Sequence, residues 1–514
     1  MSHRRLLLAA LLPIFMGGLP GCLLKVALDA PSKPLERLAR DADRMADSAE
    51  DTSHAIQTVS HEVRSKVGPN LGTIYDQAAQ TADRDRNPVI VIPGILGSRL
   101  VDQKSERVVW GEFGGDGVNP DTKLGAEEFA LPMQLGVALS QLTDSVRPDG
   151  ALSSLKVSLL GLPIQIGAYF EILQALGVGG YRDPHGKSTE INYGEGHFTC
   201  FQFGYDWRRD NAENARRLHE FILEKKAYVE GERIKRYGTT GPVRFDLVAH
   251  SMGGLLGRYY LMYGPAELPA DGTPPVLTWA GAQHVERLIQ VGPPNAGSAK
   301  ALEELVNGVT FSRVLPKYEA SLWGTMPAAY QLLPRTRHRR VLDEASQESV
   351  DVFDPAVWEK HQWGLLDPEQ DEVLKKLLPR ELHPSRRRQI AADHLRKCLR
   401  QAENFQAAID LAAAPPKNTT IHLIAGDAYP TLDELRVTKH GGVISTGTAP
   451  GDGTVTRSSA LMDERLANST DWAPRLTSPV RFQSVTFLLS DHRSLTSDPA
   501  FIDNVLFLLL EAPR

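Results

Sequence analysis

Val248-Ala249-His250-Ser251-Met252-Gly253-Gly254 has the pattern small-x-Ser-x-Gly, with alanine at the first small position. An apolar run, residues 243–248, leads into it, and the apolar stretch 255–261 follows it. A serine between a strand and a helix stands on a sharp, strained turn, where bulky neighbours would clash with it. The helix would begin just after Ser251, so its N-terminus would favour negative charge that develops there. The pattern therefore predicts that Ser251 is a nucleophile at a strand–turn–helix corner.

Apolar runs of strand length recur on both sides of this motif and end at Gly, Pro or Asp. They are residues 89–92, 198–203, 243–248, 288–291, 421–425 and 480–489. Continuous apolar strands that alternate with helical stretches are typical of a parallel sheet covered on both faces. Ligands of such sheets bind at the carboxyl ends of the strands, where the polar motifs of this chain lie. We therefore predict an α/β-hydrolase with a mostly parallel sheet and helices on both faces.

A serine hydroxyl needs a base to remove its proton, and in this fold the acid and the histidine follow the serine along the chain. His492 comes directly after the last strand-like run and is the predicted base. Two carboxylates remain open as the acid, which holds the imidazole tautomer and stabilises the imidazolium. Asp427 directly follows the run 421–425, and Asp452 lies in the tight turn 451–455.

Negative charge that develops on the substrate requires two backbone N–H donors. One would be the N–H of Met252, the residue after the nucleophile, and the other comes from the loop after an early strand. That loop is residues 93–98, Pro-Gly-Ile-Leu-Gly-Ser, whose glycines allow close approach of the backbone. We predict Leu96 as the second donor, with the neighbouring Ile95 as the alternative.

Two long segments, residues 111–190 and 300–415, do not fit the alternation of strands and helices. Insertions of this length over the strand ends usually build lids and substrate pockets. Trp110, Tyr205 and Trp207 are candidate substrate-binding residues near the mouth of the site. The alternative is a structural one, with Trp110 in the core and the segment containing Tyr205 and Trp207 supporting a loop.

Four aromatic residues of the second insertion are expected to offer apolar surface to a lipid interface: Trp323, Phe353, Trp358 and Trp363. A cover over the pocket must move for a lipid chain to enter, so this segment is interpreted as a lid. The alternative is that these aromatic side chains form a small fixed core inside a cap.

The N-terminus has the features of an export signal. Arg4 and Arg5 precede the apolar run 6–16, which is too short to span a bilayer. The run leads to Leu-Pro-Gly-Cys22, which resembles the lipobox of bacterial lipoproteins. That resemblance implies cleavage before Cys22, acylation of its new terminus, and anchoring on the periplasmic face or the outer membrane; the alternative is a secreted protein with a chance cysteine. Residues 23–85 are predicted to form a helical arm before a catalytic domain at 86–514.

The composition indicates a globular chain without a nucleic-acid partner. Hydrophobic residues make up 42% and charged residues 23%, and the net charge is −6, so no basic footprint for nucleic acid is present. No motif predicts a cofactor or a metal. Cys200 and Cys398 could pair in an exported protein, but spacing leaves this open, and Cys200 is interpreted as a small core residue.

Five motifs, in this order along the chain, resemble those of the lecithin:cholesterol acyltransferase family. They are residues 93–98, 205–208, 249–254, 292–298 and 451–455. The resemblance implies Ser251, Asp452 and His492 as the triad and supports Leu96 and Met252 as the oxyanion donors.

The relatives include phospholipid:diacylglycerol acyltransferases and lysosomal phospholipase A2. The function that the resemblance implies is a serine-dependent O-acyltransferase or lipase that acts on ester lipids through an acyl-enzyme. Two alternatives are an esterase for small soluble esters and a non-catalytic lipid-binding lipoprotein.

Overall fold

The computed structural model describes most of the chain from residue 70 onward. The described ranges are 70–81, 83–113, 117–151, 154–159, 162–167, 170–184, 197–238, 241–269, 271–310, 316–467 and 474–513. The predicted signal segment and residues 23–69 of the predicted arm lie outside these ranges. Within them, no helix combines the length and the apolar character needed to cross a membrane.

A six-stranded sheet forms the centre of the fold, and all its neighbouring strands are parallel. Its strands, labelled β1 to β6 in chain order, are Val89–Ile92, Cys200–Gln202, Phe245–His250, Val285–Val291, Thr420–Gly426 and Ser484–Leu488. In space their order is β6-β5-β4-β3-β1-β2. Each strand coincides with a predicted apolar run, and the sheet confirms the predicted α/β-hydrolase fold.

Side chains of the central strands β1, β3 and β4 alternate between two hydrophobic clusters, one on each face of the sheet. Along β1, Ile90 and Ile92 belong to the larger cluster, whereas Val89 and Val91 belong to the other. The larger cluster includes residues of helices α1, Asn211–Tyr237, and α2, Met252–Tyr263; the other includes residues of helices Phe170–Val178 and Pro499–Leu506. Burial on both faces explains why β1 and β3 appear as apolar runs in the sequence.

The first insertion begins before residue 111, where the sequence placed its start. Directly after the loop that follows β1, Ser98–Asp102 forms the middle strand of a small antiparallel sheet, between Val108–Trp110 and Val146–Ala151. These strands are short and two of them carry charged residues, so they give no long apolar run. The other elements are strands Glu112–Phe113, Ser154–Leu159 and Leu162–Gly167 and helix Lys123–Phe129.

The second insertion is mainly helical and has a closed core. Its elements are helices Ala299–Asn307, Ala320–Trp323, Pro327–Tyr330, Pro355–His361, Asp371–Leu377 and α3, Pro384–Ile409, with the strand Val341–Asp343. The four aromatic residues expected at its surface, Trp323, Phe353, Trp358 and Trp363, are at most 9% exposed. Trp358 and Trp363 pack edge to face with ring centroids 5.5 Å apart. The expectation that these residues lie at the surface is therefore wrong; they form the core of the second insertion, which we call the cap.

The compact unit that contains the sheet begins at Leu71, inside the segment expected to be an arm. Tyr75 accounts for the difference, because it is 2% exposed and its hydroxyl lies 2.7 Å from the carboxylate of Asp503. The short helices Leu71–Ile74 and Asp76–Ala79 therefore belong to this unit.

The two described cysteines are free and buried. Cys200 lies in β2 and Cys398 in α3. Burial raises the pKa of both thiols, so neither is a thiolate at neutral pH. Both cysteines serve as small core residues.

Acid sensitivity of the cap is expected at His394 in α3. Its side chain is fully buried, its Nε2–H donates to the carbonyl of Thr325 at 3.0 Å, and burial lowers its pKa from 6.5 to about 4. Because the unfolded chain takes up this proton first, stability is lost as pH falls from about 6.5 and levels off near 4. The loss from this residue should reach about 3 kcal/mol.

Denaturant unfolding at pH 7.5 and at pH 4 measures this effect. His394→Gln keeps an N–H donor but no titrating group, so its stability should fall by about 3 kcal/mol less than that of the wild type. His440→Gln, at an exposed histidine, is the matched control and should behave as the wild type does. If the stability of all three proteins fell equally with pH, His394 would not be the group whose protonation destabilises the cap.

Candidate active site

Ser251 alone forms the corner between β3 and α2. β3 ends at His250 and α2 begins at Met252. The backbone angles of Ser251 are φ 53° and ψ −126°, a positive φ that residues with a side chain rarely adopt. The strain persists because all residues of both flanking elements are buried. The serine therefore stands at the carboxyl end of a central strand and at the N-terminus of a helix.

The imidazole of His492 lies between Ser251 and Asp452. Its Nε2 is 3.1 Å from Ser251 Oγ, and its Nδ1 is 2.7 Å from Oδ2 of Asp452. Asp452 is 2% exposed, and its Oδ1 accepts the backbone N–H groups of Thr454 and Val455 at 3.0 and 2.7 Å. With the carboxylate as acceptor, the proton sits on Nδ1 and Nε2 can accept the proton of the serine. This is the arrangement that a hydroxyl nucleophile requires.

A hairpin between β5 and Asp452 distinguishes the two candidate acids. Asp427 follows β5 directly, but its carboxylate pairs with the guanidinium of Arg457. The chain then runs out along Tyr429–Val437 and returns along the antiparallel strand Val443–Gly451. The return strand ends one residue before Asp452 and brings that carboxylate, rather than the one at 427, to the histidine.

The loop after β1, residues 93–98, is the candidate oxyanion loop. It contains a tight turn in which the N–H of Gly97 donates to the carbonyl of Gly94 at 3.1 Å. Within this turn only Leu96 has a positive φ, 65°, which costs a residue with a side chain about 1–2 kcal/mol. A positive φ at the third position of a turn reorients the central peptide and with it the N–H of that residue. The strain therefore favours Leu96 over Ile95 as the donor.

This loop lies directly against the nucleophile. A Cβ added to Gly94 would stand 2.8 Å from Cβ of Ser251 and 3.3 Å from its Oγ. Met252 is the first residue of α2, and the first N–H groups of a helix have no acceptor inside it. The loop that carries the candidate donor Leu96 and the helix that begins with the candidate donor Met252 therefore both adjoin the serine.

The three candidate substrate-binding residues need correction, because none of them lines open space. Trp110 is 2% exposed, and Tyr205 and Trp207 are fully buried. The indole N–H of Trp110 donates to the carbonyl of Leu96 at 2.7 Å, and the hydroxyl of Tyr205 donates to the carbonyl of Pro93 at 2.9 Å. These aromatic residues are buried behind the oxyanion loop and donate to its carbonyl groups, so they do not line a substrate pocket.

His250 belongs to the site but was not singled out from the sequence. Its ring centroid lies 4.8 Å from that of His492, and its Nε2–H donates to the backbone carbonyl of His492 at 3.1 Å. Burial, followed by the nearby His492, lowers the pKa of His250 to about 3. The ring is therefore neutral at the pH of ordinary assays and supports the histidine loop without adding charge. Its position directly before Ser251 in the motif is the sequence signal that could have identified it.

Gly292 is a second residue of the site that was not singled out from the sequence. It follows β4 with φ 56°, and an added Cβ would lie 3.2 Å from both Oδ2 of Asp452 and Nδ1 of His492. A side chain would therefore crowd the acid–histidine hydrogen bond. The motif at 292–298 contains this glycine, but only the fold reveals that it lies beneath the imidazole.

The triad has a narrow opening. Ser251 is 8% exposed and the side chain of His492 is 11% exposed. A small surface cleft lies elsewhere, beside Ser298, and no residue of the triad lines it. Within the described ranges, no cluster of His, Cys, Asp or Glu side chains is arranged to hold a metal ion.

Comparison with known sequences confirms the predicted resemblance. A family model described as lecithin:cholesterol acyltransferase matches residues 169–373. A curated relative, lecithin-cholesterol acyltransferase-like 4 of Arabidopsis thaliana, is 28% identical over 189 residues. That match covers 35% of this chain and 31% of the relative, so the chain spans about a third of the relative's length.

Similar solved structures include a chain of a Tle4–Tli4 complex and lipase 1 from Pelosinus fermentans. The first is 16% identical with a TM-score of 0.49 and covers 83% of this chain and 99% of that chain. The second is 12% identical with a TM-score of 0.32 and covers 84% of this chain and 100% of that chain.

Proposed function

We propose that this protein is a serine-dependent enzyme that transfers or hydrolyses the acyl group of an ester lipid through an acyl-enzyme. The observation that carries the proposal is the hydrogen-bonded series Ser251–His492–Asp452, with distances of 3.1 and 2.7 Å. Binding a lipid requires no such series, so the geometry favours catalysis over a purely lipid-binding role. The match to the lecithin:cholesterol acyltransferase family supports acyl esters as the substrate class.

Acylation would begin with attack of Ser251 Oγ on the ester carbonyl carbon while His492 Nε2 takes the hydroxyl proton. Asp452 stabilises the imidazolium and does not itself take the proton. The bond between the carbonyl carbon and the ester oxygen then breaks, and the departing alkoxide takes the proton from His492. The products of this half-reaction are the free alcohol and an acyl group bonded to Ser251 Oγ.

Two N–H groups would stabilise the oxyanion that forms on the carbonyl oxygen. They belong to Leu96 and Met252, and each such donor typically contributes roughly 3–4 kcal/mol to transition-state stabilisation. The N-terminus of α2 points at the same charge, since Ser251 is its N-cap.

Deacylation would repeat these steps with a second hydroxyl. Water attacking the acyl-enzyme gives a fatty acid, whereas an acceptor alcohol gives a new ester, and His492 takes the attacking proton in either case. The ratio of hydrolysis to transfer depends on which hydroxyl reaches the acyl carbon. The low exposure of Ser251 and His492 supports restricted access of water.

The test combines covalent labelling with product analysis. A fluorophosphonate should label Ser251 in the wild type, and phospholipid vesicles that contain a sterol should yield a fatty acid or a new ester. Ser251→Ala should abolish labelling and reduce product formation by about 10⁵–10⁶-fold, whereas the control Ser445→Ala, at an exposed serine of the hairpin, should change neither. Turnover of small soluble esters alone would favour a simple esterase, and lipid binding without labelling would overturn the enzyme.

We further propose that Cys22 carries a lipid anchor, on the basis of the Leu-Pro-Gly-Cys sequence that ends the apolar leader. Cys22→Ser should move the protein from the membrane to the soluble fraction, because it removes the residue that would carry the anchoring acyl chains. The turnover number of the released protein should stay that of the wild type.

Fractionation after a carbonate wash measures this distribution. Cys200→Ala, which removes a buried thiol and keeps residue 22, is the control and should remain in the membrane fraction. A Cys22→Ser protein that stays with the membrane would contradict the anchor.

A further inference from the structure

Carbonyl oxygens of the oxyanion loop are held by buried aromatic side chains. The three bonds are Tyr205 Oη–H to the carbonyl of Pro93 at 2.9 Å, Trp110 Nε1–H to that of Leu96 at 2.7 Å, and Trp207 Nε1–H to that of Ser98 at 3.2 Å. All three acceptors lie within six consecutive residues, 93–98. The bonds therefore fix the direction of peptide groups on both sides of the turn that carries the N–H of Leu96.

These aromatic residues have little freedom to move. The rings of Trp110 and Trp207 pack edge to face with centroids 5.5 Å apart and an interplanar angle of 74°. The backbone N–H of Tyr205 also donates to the hydroxyl of Ser98 at 3.0 Å. A close-packed interior transmits small displacements, so the position of the rings is passed to the loop.

A fully buried ion pair fixes the segment that carries two of these rings. Arg208 hydrogen-bonds both carboxylate oxygens of Asp206, at 2.9 and 2.8 Å. Its remaining donors reach the carbonyl of Phe129 and the carboxylate of Asp144, at 2.9 and 2.7 Å. The segment therefore connects the end of β2 to the first insertion through paired charges.

The three bonds go to carbonyl groups on either side of the central peptide of the turn, which joins Ile95 to Leu96. Its orientation depends on the positive φ of Leu96 and on the fixed carbonyl groups around it. A strained residue persists only where its surroundings determine its conformation. Rotation of this peptide would carry the N–H of Leu96 away from the substrate oxygen.

We propose that Trp110, Tyr205 and Trp207 are positioning residues that hold the oxyanion loop in the orientation needed to stabilise the transition state. This inference rests on the proposed acyl transfer at Ser251. The side chains do not contact substrate; they act through the backbone of residues 93–98. Misplacing a catalytic group by about 1 Å can reduce turnover about a hundredfold, so the loss of one bond should be measurable.

The test compares single hydrogen-bond deletions at the loop with equivalent deletions elsewhere. Tyr205→Phe and Trp110→Phe remove one donor each and retain a ring. Tyr263→Phe and Trp358→Phe are matched controls, since these buried residues donate to the carbonyls of Ala408 and Val352, both at 2.8 Å. Thermal unfolding of all four variants measures how much stability each protein loses with its hydrogen bond.

The loop variants should lose about tenfold to a hundredfold in kcat on a soluble ester, with KM unchanged within about twofold. Their affinity for an alkyl trifluoromethyl ketone, whose adduct with Ser251 bears an oxyanion, should fall by a similar factor. Affinity for the matching alkyl ether, which forms no oxyanion, should stay within about twofold of the wild type. The controls should keep the kcat of the wild type.

A purely structural role predicts a different outcome. Loop variants that lose no more kcat than their controls would overturn the inference, and so would equal weakening of ketone and ether binding. A wild-type protein that turns over no ester would instead refute the proposed function, which keeps the two failures apart.

Discussion

Ser251→Ala is expected to reduce turnover of an ester substrate by about 10⁵–10⁶-fold, and His492→Ala by a similar factor. The double variant should lose no more than either single variant. The reason is geometric, since the 3.1 Å bond between Nε2 and Oγ serves only to move the serine proton. Once either partner is absent, the other has no step left to assist.

Single-turnover and steady-state kinetics on one soluble ester measure all three variants. Ser445→Ala and His440→Gln, at exposed positions, are the controls and should retain wild-type rates. Residual activity of all three triad variants should still exceed the uncatalysed rate, because the oxyanion donors and substrate binding remain. Losses that multiply in the double variant would show that Ser251 and His492 act separately, against the proposed mechanism.

The sequence could predict the sheet because its strands carry a local signal. The central strands β1 and β3 are buried on both faces, so they appear as apolar runs, as in Val89–Ile92. Ser251 was predictable for a similar reason, since a corner between strand and helix restricts its immediate neighbours in the chain. These features depend on residues a few positions apart.

Other features depended on contacts that no local pattern encodes. Trp110 and Trp207 are nearly a hundred positions apart, and only the packed structure shows that both donate to residues 93–98. An aromatic residue next to a catalytic motif looks the same in sequence whether it contacts the substrate or the backbone behind it. The prediction that Trp358 of the cap faces lipid is wrong for the same reason. The sequence does not show which side of a helix is covered by the rest of the protein.

Asp452→Asn should reduce turnover by about 10⁴-fold, whereas Asp427→Asn should change it by less than about threefold. An amide at 452 would donate to Nδ1 of His492 and favour the tautomer whose Nε2 carries a proton and cannot accept another. Asp427 pairs with Arg457, whose side chain is 47% exposed, and an exposed pair of this kind contributes less than about 1 kcal/mol to stability.

The two substitutions are chemically identical and differ only in position, so each serves as the control for the other. The sequence left both carboxylates open because the choice between them depends on a hairpin, Tyr429–Val437 with Val443–Gly451, that moves the acid from the end of β5 to the far end of a second strand. Initial rates on a soluble ester, with thermal unfolding as the check on folding, distinguish the positions. A larger loss at 427 than at 452 would mean that the working acid is the one nearest β5, and the 2.7 Å bond to His492 would then have no catalytic role.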